Sequence, residues 1–135
     1  MLSFKTRYAM LALIHLAKEY GNGAILISEI AKGEKIPQRY LENILLDIKK
    51  MGIIGSKLGK DGGYFLKKSP NKIDLASVIR HFEGSLALIY CVSEKSYQSC
   101  EFCMNEKKCK LRNVFKDIRD YTNKKLSKTK LSDLI

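Results

Sequence analysis

Leu41, Ile44, Leu45, Ile48 and Met51 recur at i, i+3, i+4, i+7 and i+10. That spacing predicts a single apolar stripe on a helix running from Pro37 to Lys50. Pro37 suits the first helical position, where a missing N–H costs nothing, and Gly52 stops the helix. Two strand-like runs follow at once, Ile53 to Leu58 and Tyr64 to Lys68, joined by Gly59-Lys60-Asp61-Gly62-Gly63. Gly62 and Gly63 are expected to supply the positive φ that a tight hairpin turn demands. A one-faced helix leading straight into a glycine-tipped hairpin leaves few folds open.

The flanking segments fill in one of them. Ser3 is placed to cap a helix to about Tyr20, apolar on most sides through Tyr8, Ala9, Leu11, Ala12 and Leu16, and such a helix is a core element. Gly21-Asn22-Gly23 ends it. Ala24 to Ile27 reads as a short strand, and Ser28 is expected to cap a short helix from Glu29 to Lys32 that Gly33 breaks. Asp74 caps a further helix to about Phe82, with Ile73 and Val78 as a hydrophobic staple. Gly84 opens a looser region. A final amphipathic helix runs from about Lys110 to Leu126, with Leu111, Val114, Phe115, Ile118 and Thr122 on one face. The expected fold is mainly α with a small β-hairpin. A winged helix-turn-helix domain would occupy residues 1–83, a cysteine loop 84–109, and a long C-terminal helix with its tail 110–135.

In a winged helix-turn-helix the second helix lies in the major groove, with residues near its N-terminus facing base edges. Here those are Gln38, Arg39, Glu42 and Asn43, opposite the apolar stripe. Arg39 suits a bidentate pair with guanine, Gln38 or Asn43 suits adenine, and Glu42 suits the amino group of cytosine. The hairpin carries Lys57 and Lys60, and between Lys49 and Lys68 there are six lysines against one acid, Asp61. Polar residues on one helix face describe any solvated helix. The helix order, the hairpin glycines and the lysine-rich wing together favour DNA. Tyr64 reads as wing packing rather than base stacking.

Charge agrees with this. The chain of 135 residues has 25 Lys and Arg against 14 Asp and Glu, a formal net charge of +11, and a small basic protein ordinarily meets a polyanion. Its most apolar stretch, Tyr8 to Leu16, is far shorter than the roughly 20 residues a bilayer needs. No small-residue cleavage site follows that stretch, so a cytoplasmic location without a membrane partner is expected. There is no phosphate loop, no HExxH motif and no nucleophile elbow, so an enzyme is not expected.

The motifs Thr6-Arg7-Tyr8-Ala9, Ile27-Ser28-Glu29-Ile30-Ala31, Tyr40-Leu41-Glu42 and Gly62-Gly63-Tyr64 together resemble the Rrf2 family of transcriptional regulators. The likeness continues through Ile73-Asp74-Leu75, Glu83-Gly84 and the cysteine loop to Leu131-Ser132-Asp133-Leu134, nearly the whole chain. The resemblance implies a homodimer, held by the C-terminal helix as a dimerisation helix, on a palindromic operator in double-stranded DNA. It also carries DNA contacts by position to Ser28, Tyr40 and Glu42. With the wing residues Lys57, Lys60, Gly62, Gly63 and Tyr64, these join Gln38, Arg39 and Asn43 as the candidate DNA-binding set. Arg39 stands where the family often has a small polar residue, so its base preference should differ.

Cys91, Cys100, Cys103 and Cys109 lie within 19 residues, and clustered reduced thiols point to a metal or redox site. The resemblance implies an iron–sulfur cluster on Cys91, Cys103 and Cys109, with Cys100 additional. One branch of the family takes its fourth ligand from a histidine three residues after the last cysteine, where this chain has Arg112. Another takes it from an acidic residue in the partner's first helix, where this chain has Arg7. A guanidinium offers no lone pair to a metal. Cys100 is therefore expected to complete an all-cysteine site for a 2Fe–2S or 4Fe–4S cluster. Structural zinc is an alternative, as is no metal, with the thiols acting through disulfide or sulfenate chemistry. Of the two histidines, His15 reads as a satisfied core residue and His81 as a minor candidate ligand.

Two other functions compete. One is a regulator controlled by a small molecule or protein partner, with the cysteines holding zinc or nothing. The other is a small iron–sulfur electron carrier, which needs neither the lysine-rich wing nor the helix at 37–50.

Overall fold

The computed structural model describes residues 1–135. Ser3 opens the first helix as expected, its Oγ accepting the Thr6 N–H at 3.2 Å. Helix α1 (Phe4–Lys18) then buries Thr6, Ala9, Ala12, Leu13, Leu16 and Ala17. Three of these are alanines, which let neighbouring helices come close.

Helix α2 (Ile27–Glu34) departs from expectation at both ends. Leu26 sits at the N-cap without a side-chain cap, and Ser28 lies one residue inside the helix. Ile27, Ile30 and Ala31 at i, i+3 and i+4 pull the helix start forward to put them on the core. Gly33 does not break the helix. The His15 ring lies beside it, 2.8 Å from where a Cβ would stand, so a larger residue there would have to displace that ring. The helix ends at Lys35, in the left-handed region with φ 55°.

Helix α3 (Gln38–Lys50) buries Leu41, Ile44, Leu45 and Ile48, the predicted stripe, while Pro37 is its N-cap rather than its first residue. Strands β1 (Ile54–Lys57) and β2 (Gly63–Leu66) follow, shorter than predicted, antiparallel and in register from Ile54 opposite Leu66 to Lys57 opposite Gly63. The turn takes its positive φ from Gly59 (99°) and Gly63 (132°), not from Gly62. Gly62 is needed for a different reason: a Cβ there would lie 2.4 Å from the Lys57 carbonyl oxygen. The expected strand at 24–27 reduces to one residue. Ile25 exchanges two backbone hydrogen bonds with Tyr64, both 2.8 Å, and so docks the hairpin on the segment before α2.

Asp74 caps helix α4 (Leu75–Glu83), accepting the Ser77 N–H at 2.8 Å, and both Ile73 and Val78 are buried in the common core. The tail returns to this point. Leu131 donates to the Ile73 carbonyl at 2.9 Å, Leu75 donates to Thr129 at 3.0 Å, and the Leu131 side chain is fully buried. Helix α5 (Lys110–Lys128) packs along α4 but buries no residue completely. Of the predicted stripe, Phe115 and Thr122 are half-buried, whereas Leu111, Val114 and Ile118 are 41–65% exposed.

Candidate nucleic-acid interface and cysteine loop

Each Leu or Ile that α3 buries stabilises the fold by about 1.5–3 kcal/mol, and four of them fix the helix rotation. That rotation leaves Gln38, Arg39, Tyr40, Glu42 and Asn43 all exposed on the outer face. Gln38, Glu42 and Asn43 have no intramolecular side-chain partner and are free to meet a ligand. Arg39 is held differently: its Nη2 donates to the Tyr40 hydroxyl at 3.1 Å, and its guanidinium lies over the Tyr40 ring, 4.8 Å from the centroid.

Behind this face, α1 steadies α3. Lys5 pairs with Asp47 at 2.5 Å, and Lys50 approaches the same carboxylate at 3.7 Å. The hydrogen bond from Lys5 holds the Asp47 carboxyl below its usual range, with the charges of both lysines adding and burial opposing. Phe4 and Tyr8 of α1 and Tyr40, Asn43 and Ile44 of α3 wall an open apolar groove between the two helices.

The wing stands beside α3. Lys57 and Lys60 are exposed, and Lys49 reaches across to donate to Ser56 Oγ at 2.6 Å. Gly62 and Gly63 shape the turn, and Tyr64 is half-buried against the core, as its reading as wing packing requires. Ser28 is exposed near the start of α2. Leu58, fully exposed at 96%, is a wing residue missed in the sequence because its place in a strand-like apolar run implied packing.

His15 is satisfied as expected, its Nδ1 2.9 Å from Glu34 Oε1. His81 is exposed, lies edge-on to Phe82, and belongs to no group of potential metal ligands. A second polar hub escaped the sequence reading altogether. Glu83 Oε1 accepts from Thr6 Oγ1 at 2.5 Å and from the Ser3 N–H at 2.8 Å, tying the end of α4 to the start of α1. The Thr6 hydroxyl first, and the Ser3 N–H second, hold the Glu83 carboxyl below its usual range.

After Gly84 the chain is loop, held to α5 by arginines. Arg112 Nε donates to the Cys91 carbonyl at 3.3 Å and Arg119 Nη1 to the Val92 carbonyl at 2.7 Å. Arg112 thus binds the backbone of the first cysteine, a role no local pattern announces. Cys109 caps α5 through its sulfur, which accepts the Arg112 N–H at 3.3 Å. Tyr97 folds the loop onto itself, donating to Glu106 at 2.5 Å. Partial burial pushes the Cys103 thiol up, and the nearby Cys109 and Cys100 add to it.

Four thiols are a suitable donor set for iron or zinc, but they are not preassembled as one ligand group. Cys91 is buried and Cys100 exposed, and no three Cys, His, Asp or Glu side chains stand together as a group that could hold a metal ion. The structure brings Cys100, Cys103 and Cys109 into one neighbourhood and keeps the Cys91 backbone clamped on α5.

A helix-turn-helix with an exposed polar second helix and a lysine-bearing hairpin defines a DNA-binding regulator of the winged-helix class. A family model described as Rrf2, iron-dependent transcriptional regulator, matches residues 2–135. The chain belongs to the Rrf2 family. A Rhodobacter capsulatus protein described as an Rrf2-like HTH-type transcriptional regulator is 38% identical over 121 residues, 87% of this chain and 81% of that protein. The HTH-type transcriptional regulator CymR of Bacillus subtilis is 30% identical, over 90% of this chain and 84% of CymR. Among solved structures, CymR, the global cysteine regulator of B. subtilis, superposes with a TM-score of 0.82 at 29% identity, covering 99% of this chain and 95% of that one. The IscR of T. potens gives 0.76 at 25% identity, covering 99% and 85%. These relatives are transcriptional regulators, not enzymes. No helix of the chain is long and apolar enough to cross a membrane.

Proposed function

We propose that the chain binds a palindromic operator as a homodimer, with residues 1–83 reading DNA, 84–109 sensing and 110–135 joining the subunits. The observation that carries this is the two-sidedness of α3: its stripe Leu41, Ile44, Leu45 and Ile48 is buried, and Gln38, Arg39, Tyr40, Glu42 and Asn43 are exposed, as are Lys57 and Lys60 of the wing. In a dimer two such helices would sit about 34 Å apart, one DNA turn. Ser28 and the wing residues Gly62, Gly63 and Tyr64 would flank them on the sugar–phosphate backbone. Operator selection with the purified protein tests this. Salt-sensitive, sequence-selective binding is expected, and Lys57→Ala or Lys60→Ala should each lower the slope of log affinity against log salt by about 1. Binding without sequence preference at any salt would overturn it.

The exposed Leu111, Val114 and Ile118 stripe on α5 supports the homodimer, since a soluble monomer rarely leaves such a stripe bare. The cysteine loop is the proposed control. Its four thiols and the family's description as iron-dependent support an iron–sulfur cluster on Cys91, Cys103 and Cys109, with Cys100 as fourth ligand. Because the four thiols are not gathered into one ligand group here, loading would have to draw the loop together, and metal binding would then be coupled to loop folding. Any change in operator affinity equals the cluster's differential stabilisation of the DNA-competent arrangement. Anaerobic purification with visible absorption and iron, sulfide and zinc analysis decides the point. A colourless protein stoichiometric in zinc rejects the cluster.

A second reading is favoured by the absence of any grouped ligand set in the structure: a regulator controlled by a small molecule or partner protein, its thiols structural or unligated. Cys91→Ala, Cys103→Ala and Cys109→Ala variants with unaltered, effector-responsive operator binding would select it.

A further inference from the structure

Arg39 and Tyr40 are successive residues in the first turn of α3, and successive residues on a helix point about 100° apart, so the helix itself does not bring their side chains together. They meet all the same. The Arg39 guanidinium lies 4.8 Å from the Tyr40 ring centroid, and its Nη2 donates to the Tyr40 hydroxyl at 3.1 Å. The ring also has a fixed place on the surface. It forms one wall of the groove whose other wall is Phe4 and Tyr8 of α1, two rings 6.1 Å apart at their centroids. Tyr40 remains 50% exposed, enough to offer the guanidinium a platform without burying it.

An unbraced surface arginine samples many rotamers and must give them up to make a bidentate contact. Here the contact with Tyr40 favours one arrangement of the guanidinium before any partner arrives. A guanidinium has five N–H donors in a fixed fork, and the Tyr40 hydroxyl engages one, leaving a free edge for a planar acceptor pair such as guanine O6 and N7. A lysine in the same place would keep the charge but have neither fork nor stacking plane.

We infer that Tyr40 is a positioning residue for Arg39, and that the stacked pair is one specificity-determining unit reading a single guanine in each half-site. This rests on the proposed DNA reading by α3. It assigns Tyr40 a role through its neighbour rather than through a contact of its own with DNA.

The test is operator selection with the full chain, followed by affinities for the selected site and for that site with each base changed. The wild-type protein should prefer guanine at one position per half-site. Arg39→Ala and Arg39→Lys should lower that discrimination about ten-fold or more. Tyr40→Leu, which removes ring and hydroxyl, should lower it about two- to five-fold at the same position and leave the other positions unchanged. Tyr40→Phe, which keeps the ring, should fall between wild type and Tyr40→Leu. In an Arg39→Ala background, Tyr40→Leu should have no further effect on that base. Thermal melts matching wild type show that the variants fold. The inference is overturned if Tyr40→Leu weakens all sites equally, persists undiminished without Arg39, or leaves the guanine preference intact. A wild-type protein with no base preference at all is a different failure: it removes the DNA-reading proposal itself.

Discussion

In the first part of the chain the apolar side chains turn inward, and along α5 they turn outward. Of the 23 buried hydrophobic residues, only Cys91, Val92 and Leu131 lie beyond Gly84, and the 19 residues of α5 contribute none. The region before Gly84 closes a core from its own helices and hairpin, with Leu131 of the returning tail added to it. The region after it is held by polar clamps, with Arg112 and Arg119 on backbone carbonyls and Arg80 Nη2 on Asn123 Oδ1 at 2.6 Å. Net charge divides them too. In residues 84–109, Lys95, Lys107 and Lys108 balance Glu94, Glu101 and Glu106, so the excess positive charge sits on the two parts that flank the loop. The contrast teaches that most of the buried apolar stability is housed before Gly84, which leaves the later region the less stable part, the kind from which switching elements are drawn.

The sharpest way to break that contrast is to shave both regions alike. Leu13→Ala or Leu45→Ala should cost about 2–5 kcal/mol in urea denaturation. Ile118→Ala on α5, measured where the protein is monomeric, should stay within about 0.5 kcal/mol. Equal costs would erase the distinction. Next in size is the effect on assembly. Ile118→Glu puts a charge into the proposed subunit interface and should weaken self-association about a hundred-fold by sedimentation, while unchanged association would place the interface elsewhere. Asp74→Ala removes the cap of α4, the last helix of the core-rich region, and should cost about 1 kcal/mol in thermal denaturation. The smallest effect lies at the junction. Because the Glu83 carboxyl titrates below its usual value of 4.5, its contribution is fully present above that value and is lost as pH falls through the lower folded one. Glu83→Gln should therefore flatten the acid limb of stability by about 0.5 kcal/mol or less, as suits a partly solvated carboxylate. An acid limb as steep as wild type would show that the hub does not anchor this junction.

The two regions were also unequally legible in the sequence. The α3 stripe and the glycine hairpin follow from periodicity and turn chemistry, which are local, and they predicted the elements to within a few residues. Local rules failed where tertiary packing overrode them. Ser28 looked like a cap, but burial of Ile27 moved the helix start past it. Gly33 looked like a stop, but the His15 ring from another helix explains it. Contacts between residues far apart in the chain left no local trace. Glu83 bonding Thr6, 77 residues away, and Arg112 holding the Cys91 carbonyl, 21 away, belong to this class. In the cysteine loop, spacing marks out donors but does not fix their distances, because a loop without regular periodicity does not translate sequence separation into space.

The bridge between Ile25 and Tyr64 makes the wing part of the helix-turn-helix rather than an appendage to it. Position 63 allows no substitute, since a Cβ there would stand 2.1 Å from the Ile25 carbonyl oxygen and would pry the hairpin from its seat. With that seat occupied, wing and recognition helix approach a duplex as one finished block, their mutual angle set during folding. If the proposed dimer senses a signal beyond Gly84, that signal has nothing to reshape on the DNA side. Its task would be one of aim: to set how two such blocks point relative to each other.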